Sequence, residues 1–246
     1  MIWPVLLGTL GAVFGSFIAT VAIRWPQGRS ALQGRSACDG CGKPLRATEL
    51  MPIVSFVVQR GRCRGCGARI ALGHPVTEVA GLAIGVSAGL VAPGIEGAAG
   101  ALLGWLLLAL AAIDLAAFWL PNPLVLALAI GGLASAAAGL PPSLLDRAIG
   151  GIAGFGVLWL VAFVYRRVRG RMGLGGGDPK LFGAIGLWLG WQALPAVLLA
   201  ACVLGIAAAL LLRRTRASDR LPLGTLLAIG AYGWWLVAAG AAPTVG

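Results

Sequence analysis

Charge is scarce in this chain. Only 11% of its 246 residues are charged, against about 25% in soluble domains, which is too little polar surface to cover a water-exposed globule. That excludes an ordinary soluble enzyme, a disordered linker and a secreted disulfide scaffold. Acids are scarcer still, with eight Asp and Glu against 19 Lys and Arg, and histidine occurs once, at His74. What the chain has in abundance is apolar: 59% hydrophobic residues and a mean hydropathy of +0.92. These figures describe an all-α polytopic membrane protein. Its basic excess of +11 reports orientation in a bilayer before it reports nucleic acid, for which no motif is present.

The first apolar run, Ile2 to Ile23, ends at Arg24. A secretory signal would place charge before the run and a cleavage site after it, so the expectation is a retained span with its N-terminus outside. Residues 24–73 are polar, Gly-rich and basic, and hold four of the five cysteines. They read as a small soluble insert between the first helix (1–23) and a membrane core (74–246). Further apolar runs are Val76–Ala92, Gly97–Ala117, Leu124–Leu140, Ala148–Tyr165, Leu181–Trp191, Ala193–Leu212 and Leu223–Ala242. That makes about eight transmembrane helices. The Leu181–Trp191 run is short of the roughly 20 residues a span needs, but parity supports its crossing. With eight crossings, segments 24–73, 118–122, 166–180 and 213–222 share one side and carry 18 of the 19 basic residues, leaving Arg147 opposite. If the short run failed to cross, Arg213, Arg214, Arg216 and Arg220 would move outside, against the positive-inside bias. The insert is therefore expected in the cytosol.

Cys38-Asp39-Gly40-Cys41-Gly42 and Cys63-Arg64-Gly65-Cys66-Gly67 are two copies of C-x-G-C-G, with 21 residues between Cys41 and Cys63. Two such turns can present four thiolates tetrahedrally to Zn²⁺, and glycine lets backbone N–H groups approach the sulfurs. Disulfides, the competing reading, do not persist in the cytosol. Four thiolates leave no open position, so the zinc would be structural. Cys202 lies in an apolar run and reads as packing.

Topology also sorts the acids. Asp39, Glu49, Glu96, Asp146 and Asp219 fall in the insert or in loops. Glu78 starts the second span and is a candidate to pair with an insert arginine. Asp114, near the inner end of the third span, costs up to about 3 kcal/mol to insert, which makes it a functional hypothesis by default. Asp178 follows Gly175-Gly176-Gly177 and precedes Pro179; it can cap a helix, and the glycines also permit close approach of an extended peptide. Eight crossings bring Asp114 and Asp178 to the same face at similar depth. Two carboxylates sharing a site cannot both ionise easily, so one holds the proton while the other activates water. The G-x-S-x-G pattern at Gly85–Gly89 is not a nucleophile elbow. Its one possible base, His74, lies 13 residues away on the same helix, about 20 Å along the axis.

Taken in order, several motifs resemble the type IV prepilin peptidase family of membrane aspartic proteases. They are Gly15-Ser16-Phe17 with Arg24-Trp25-Pro26, the paired cysteine turns, His74-Pro75-Val76-Thr77-Glu78, Asp114 with Leu120-Pro121-Asn122, Gly175-x-Gly177-Asp178-x-Lys180, and Leu221-Pro222-Leu223-Gly224. Ala19, Glu49 and Asn122 stand where many members carry Asn, Asp and Asp. The resemblance implies that Asp114 and Asp178 are the catalytic pair. It also implies cleavage of a basic leader from prepilin or pseudopilin precursors at the cytosolic face of the bacterial inner membrane. Many members then methylate the new N-terminus with S-adenosylmethionine. The rival readings are an ion- or proton-coupled transporter, with the two acids binding the ion, and a non-catalytic subunit of a pilus or secretion assembly.

Overall fold

The computed structural model describes residues 2–31, 36–38, 40–170, 173–212 and 221–241. Asp39, Asp219 and the cluster Arg213, Arg214, Arg216 and Arg220 lie outside the described residues. Among the described residues the structure is helical, with two isolated β-bridges inside the cysteine-rich insert. Among the described residues nine α-helices are formed: α1 (Ile2–Arg24), α2 (Val54–Val58), α3 (Gly73–Val91), α4 (Ile95–Ala117), α5 (Asn122–Ala137), α6 (Leu144–Arg169), α7 (Asp178–Leu189), α8 (Leu194–Leu211) and α9 (Leu223–Ala241). Eight of them match the eight apolar runs. Six of the eight (α1, α3, α4, α6, α8 and α9) are long and apolar enough to cross a membrane, while α5 is a shorter apolar helix and α7 has 12 residues. The chain is an all-α, multi-pass membrane protein.

Two compact units divide within α4, Met1–Ala101 and Leu102–Gly246. In the first, α1 and α3 pack backbone to backbone because small residues recur every fourth position. A Cβ on Gly81 would lie 2.1 Å from the Gly11 carbonyl oxygen, and one on Gly85 2.1 Å from that of Leu7. This is the small-xxx-small contact by which membrane helices associate where lipid removes the hydrophobic drive between them. It also accounts for the G-x-S-x-G pattern: Gly85 and Gly89 face α1, and the Ser87 hydroxyl donates to the Ile84 carbonyl.

In the second unit, α7 is apolar all round and buried on nearly every face, with Leu181, Phe182, Ile185 and Trp188 each at most 4% exposed. Such a helix belongs in a protein core. It packs on α5, α6 and α9, and a Cβ on Gly186 would lie 2.2 Å from the Gly150 carbonyl oxygen of α6. Short as it is, α7 joins the start of α5 to the start of α6. Its start meets the start of α5, where Lys180 Nζ donates to Asn122 Oδ1 at 2.9 Å. Its end meets the start of α6, where Arg147 Nη1 donates to the Leu187 carbonyl at 3.0 Å. A protein sheath in place of lipid is what lets so short a helix hold this position.

Arg147 is 1% exposed, and a guanidinium has five N–H bonds to satisfy. All five donate to backbone carbonyls: Nη1 to Gly132 and Leu187, Nη2 to Leu140 and Pro141, and Nε to Pro142, at 2.8–3.1 Å. The one basic residue on the far side of the parity count is thus a fastener joining the ends of α5 and α7 to the α5–α6 turn. Beside it, Asp146 accepts from Trp191 Nε1 and Gln192 Nε2 and shares a cap with Ser143.

Candidate active site and metal centre

The second unit gathers four chain segments around two acids. Asp114 sits one turn before the end of α4 and is 5% exposed; Asp178 opens α7 and is 7% exposed. Burial of two ionisable groups at one end of a helix bundle is costly and marks a site by default. Thr225, in the first turn of α9, holds Asp114 from the opposite side. Its backbone N–H donates to Asp114 Oδ2 at 2.8 Å, and its hydroxyl lies 3.2 Å from the same oxygen and 3.1 Å from the Ala111 carbonyl. Asp178 Oδ2 accepts from the Gly175 N–H at 2.9 Å, so the carboxylate closes the glycine turn that precedes it. Pro179 follows at the first turn, where its missing N–H has no helical partner to lose.

Leu120 connects these pieces. After α4 the chain reverses at Phe118, whose φ of 51° is the left-handed region rarely adopted outside glycine. The reversal carries Leu120 inward between Gly177, just before α7, and Gly224, in the first turn of α9. A Cβ on Gly177 would lie 2.8 Å from Leu120 Cβ. One on Gly224 would lie 3.0 Å from both the Leu120 methyl groups and Asp114 Oδ2. A side chain at Gly177 would collide with Leu120, and one at Gly224 would press on Leu120 and Asp114. Chemically, the arrangement is two buried carboxylates whose neighbouring glycines, Gly177 and Gly224, both meet Leu120, one carboxylate anchored by a backbone N–H from a third helix. Thr225 was not singled out in the sequence; its only signal there is a hydroxyl residue directly after Leu-Pro-Leu-Gly.

In the first unit the two cysteine turns fold as near copies. Gly42 and Gly67 have φ of 70° and 72°, and their N–H groups donate to the Cys38 and Cys63 carbonyls. The Gly40 and Gly65 N–H groups each donate to a cysteine sulfur at 3.4 Å. The sulfurs of Cys38, Cys41, Cys63 and Cys66 all lie within 4.8 Å of one another, with Cys38 and Cys66 at 3.8 Å. A disulfide would need about 2.05 Å, whereas Zn–S bonds of about 2.3 Å set a tetrahedral edge near 3.8 Å. The four cysteines are free thiols, and their geometry fits a metal such as zinc. The backbone N–H groups of Cys66 and Gly65 bring the Cys63 thiol down to about 7, while the neighbouring thiols push that of Cys66 up to about 11. Cys63→Ser should therefore lower bound zinc in the purified protein well below one per chain and expose the insert to protease; unchanged metal content would contradict the four-sulfur site.

Next to this cluster lies a cavity of about 170 Å³ lined by Ser16, Thr20, Arg24, Glu49, His74 and Glu78 among others. Glu78 is 7% exposed, and its Oε2 accepts from the Ile53 N–H at 2.7 Å. A backbone amide of the insert is thus one partner of this acid. Glu49 accepts from the Arg46 N–H in a capping box.

The class defined so far is a multi-pass helical membrane protein with a buried carboxylate pair at one end of its bundle and a four-cysteine insert. Comparison with known proteins is specific. The model described as "Bacterial Peptidase A24 N-terminal domain" matches residues 9–91, and "Type IV leader peptidase family" matches 101–210. Proteins named prepilin leader peptidase/N-methyltransferase align at 42% identity in Aeromonas hydrophila (81% of this chain, 70% of that protein) and 43% in Burkholderia pseudomallei (80% and 65%). A relative of the same name in Dickeya chrysanthemi aligns at 36% over 98% of this chain and 91% of its own length. The chain belongs to the type IV leader peptidase family. It spans about two-thirds of the length of the first two relatives. No solved structure matches it significantly.

Proposed function

We propose that this protein is an aspartic endopeptidase that removes the leader from prepilin or pseudopilin precursors at the cytosolic face of the bacterial inner membrane. The observation that carries the reading is the convergence of the buried Asp114 and Asp178, from α4 and α7, on either side of Leu120. One carboxylate takes a proton from water as it attacks the scissile carbonyl. The other, protonated, supplies a proton to the carbonyl oxygen or the leaving amine, after which the pair has exchanged roles. Attack by water leaves no covalent intermediate. The Gly175–Gly177 turn, with Gly175 and Gly176 exposed, offers an extended substrate an approach without side chains. The cytosolic assignment rests on parity: the acid pair shares its side with 18 of the 19 basic residues. Thr225→Val keeps the backbone N–H on Asp114 and removes the hydroxyl. A hydrogen bond to a charged group contributes about 1.5–3 kcal/mol, so cleavage should fall by about tenfold or more; an unchanged rate would show that the hydroxyl adds nothing to what the N–H already provides. Family membership disfavours the transporter and assembly-subunit readings.

The names of the relatives support a second step, N-methylation with S-adenosylmethionine. The cavity beside the cysteine cluster suits that donor, whose sulfonium cation and carboxylate need both Glu and Arg nearby. Glu78, Glu49 and Arg24 line it. Zinc held by Cys38, Cys41, Cys63 and Cys66 would fix its wall and take no part in cleavage. Glu78→Gln should yield product that is cleaved but unmethylated, read by the mass of the new N-terminus. Loss of cleavage with methylation of a pre-cut peptide intact would refute the division.

A further inference from the structure

Residues 50–58, Leu-Met-Pro-Ile-Val-Ser-Phe-Val-Val, combine three observations that the proposed chemistry does not use. They are apolar yet open: Leu50, Met51, Val54, Val57 and Val58 are 42–67% exposed. Strained backbone brackets α2, with φ of 62° at Ile53 and 51° at Arg60, a region that β-branched residues in particular avoid. And the segment is pinned at a defined depth, because Ile53 N–H is bound by the buried Glu78 of α3.

That depth can be worked out within the first unit. A Cβ on Gly15 would lie 2.6 Å from Glu78 Cα, so the two residues mark one level of the α1–α3 pair. Arg24 lies nine residues beyond Gly15 on α1, about 13 Å along the axis at 1.5 Å per residue. A helical side chain leans toward its N-terminus by up to about one turn, roughly 5 Å. Ile53 is still several ångströms further into the membrane than Arg24, beside helices that are themselves transmembrane. At this level the outer faces of α3 are also apolar and open, with Val76 and Val79 63% and 50% exposed.

We infer that α2 and its flanks form a re-entrant foot of the insert that lies in the bilayer, its valines against acyl chains at the headgroup boundary. Arg46, Arg60 and Arg62, all exposed around it, fit the anionic headgroups of phospholipids, as in other interfacial segments. The left-handed turns at Ile53 and Arg60 are the points where the chain enters and leaves this layer. The insert is thereby held against the membrane by lipid as well as by its two flanking helices.

The test places a photoreactive benzoylphenylalanine at Val57, at Val58 and, as a polar control, at Arg64, in the full-length protein. Each variant is reconstituted in nanodiscs of phosphatidylethanolamine and phosphatidylglycerol, illuminated and analysed by mass spectrometry, with zinc content as the check on folding. The expected result is phospholipid adduct at 57 and 58, enriched in phosphatidylglycerol over its share of the bilayer, and loss of that adduct at 64. No lipid adduct at 57 and 58 in zinc-loaded protein, equal adduct at 64, or crosslinking to a second copy or to added precursor in place of lipid would each overturn the inference.

Discussion

Asp114→Asn and Asp178→Asn should each abolish precursor cleavage while leaving the protein folded in the membrane. Asparagine keeps the volume of aspartate and can still accept at one oxygen, so the Thr225 N–H and the Gly175 N–H both retain an acceptor. What is lost is the ability to take or give the proton. Removing a general acid or base typically costs 10²–10⁴-fold, and a pair acting as a unit leaves little residual activity when either half is gone. The double variant should accordingly be no worse than either single one. Substantial cleavage by either purified single variant would eliminate the two-carboxylate mechanism. Additive losses would place the two acids in separate roles.

Arg147→Met should produce the largest loss of stability among single changes away from the cysteine site. Methionine fills part of the same volume but leaves the Gly132, Leu140, Pro141, Pro142 and Leu187 carbonyls without the donor they share. Hydrogen bonds to a charged group contribute about 1.5–3 kcal/mol each, and unpaired buried carbonyls carry a further penalty. A destabilisation of at least about 3 kcal/mol follows, read as a lowered midpoint of thermal unfolding in detergent. Arg147→Lys should recover only part of it, because an ammonium has three donors in a different geometry. An unchanged midpoint for the methionine variant would mean that water replaces the guanidinium.

The elements that local chemistry specifies were legible in the sequence. Eight apolar runs became eight helices, because a bilayer leaves backbone groups no partner outside the helix. Asp114 and Asp178 could be placed at one end of the bundle by counting crossings, and the two C-x-G-C-G turns fold as copies because glycine at Gly42 and Gly67 meets a left-handed backbone. Long-range packing was not legible. Nothing in the run Leu181–Trp191 says that protein will sheathe it in place of lipid; that depends on Gly150 and Gly154 of α6 admitting it closely. Thr225 reaches Asp114 across 111 residues, and no local pattern records the contact. Arg147 was read by its charge alone, as a topology residue; that its five donors all meet backbone carbonyls is a tertiary fact that no local pattern records.

The most direct measurement is cleavage of a pilin-like precursor by the purified, zinc-loaded protein in lipid vesicles, followed by mass spectrometry of both fragments, in parallel with Asp114→Asn and Asp178→Asn. The account predicts that the wild type releases one intact leader from a single bond while both variants leave the precursor whole. A precursor that survives folded wild-type protein, or fragments that appear equally with either variant, would contradict it.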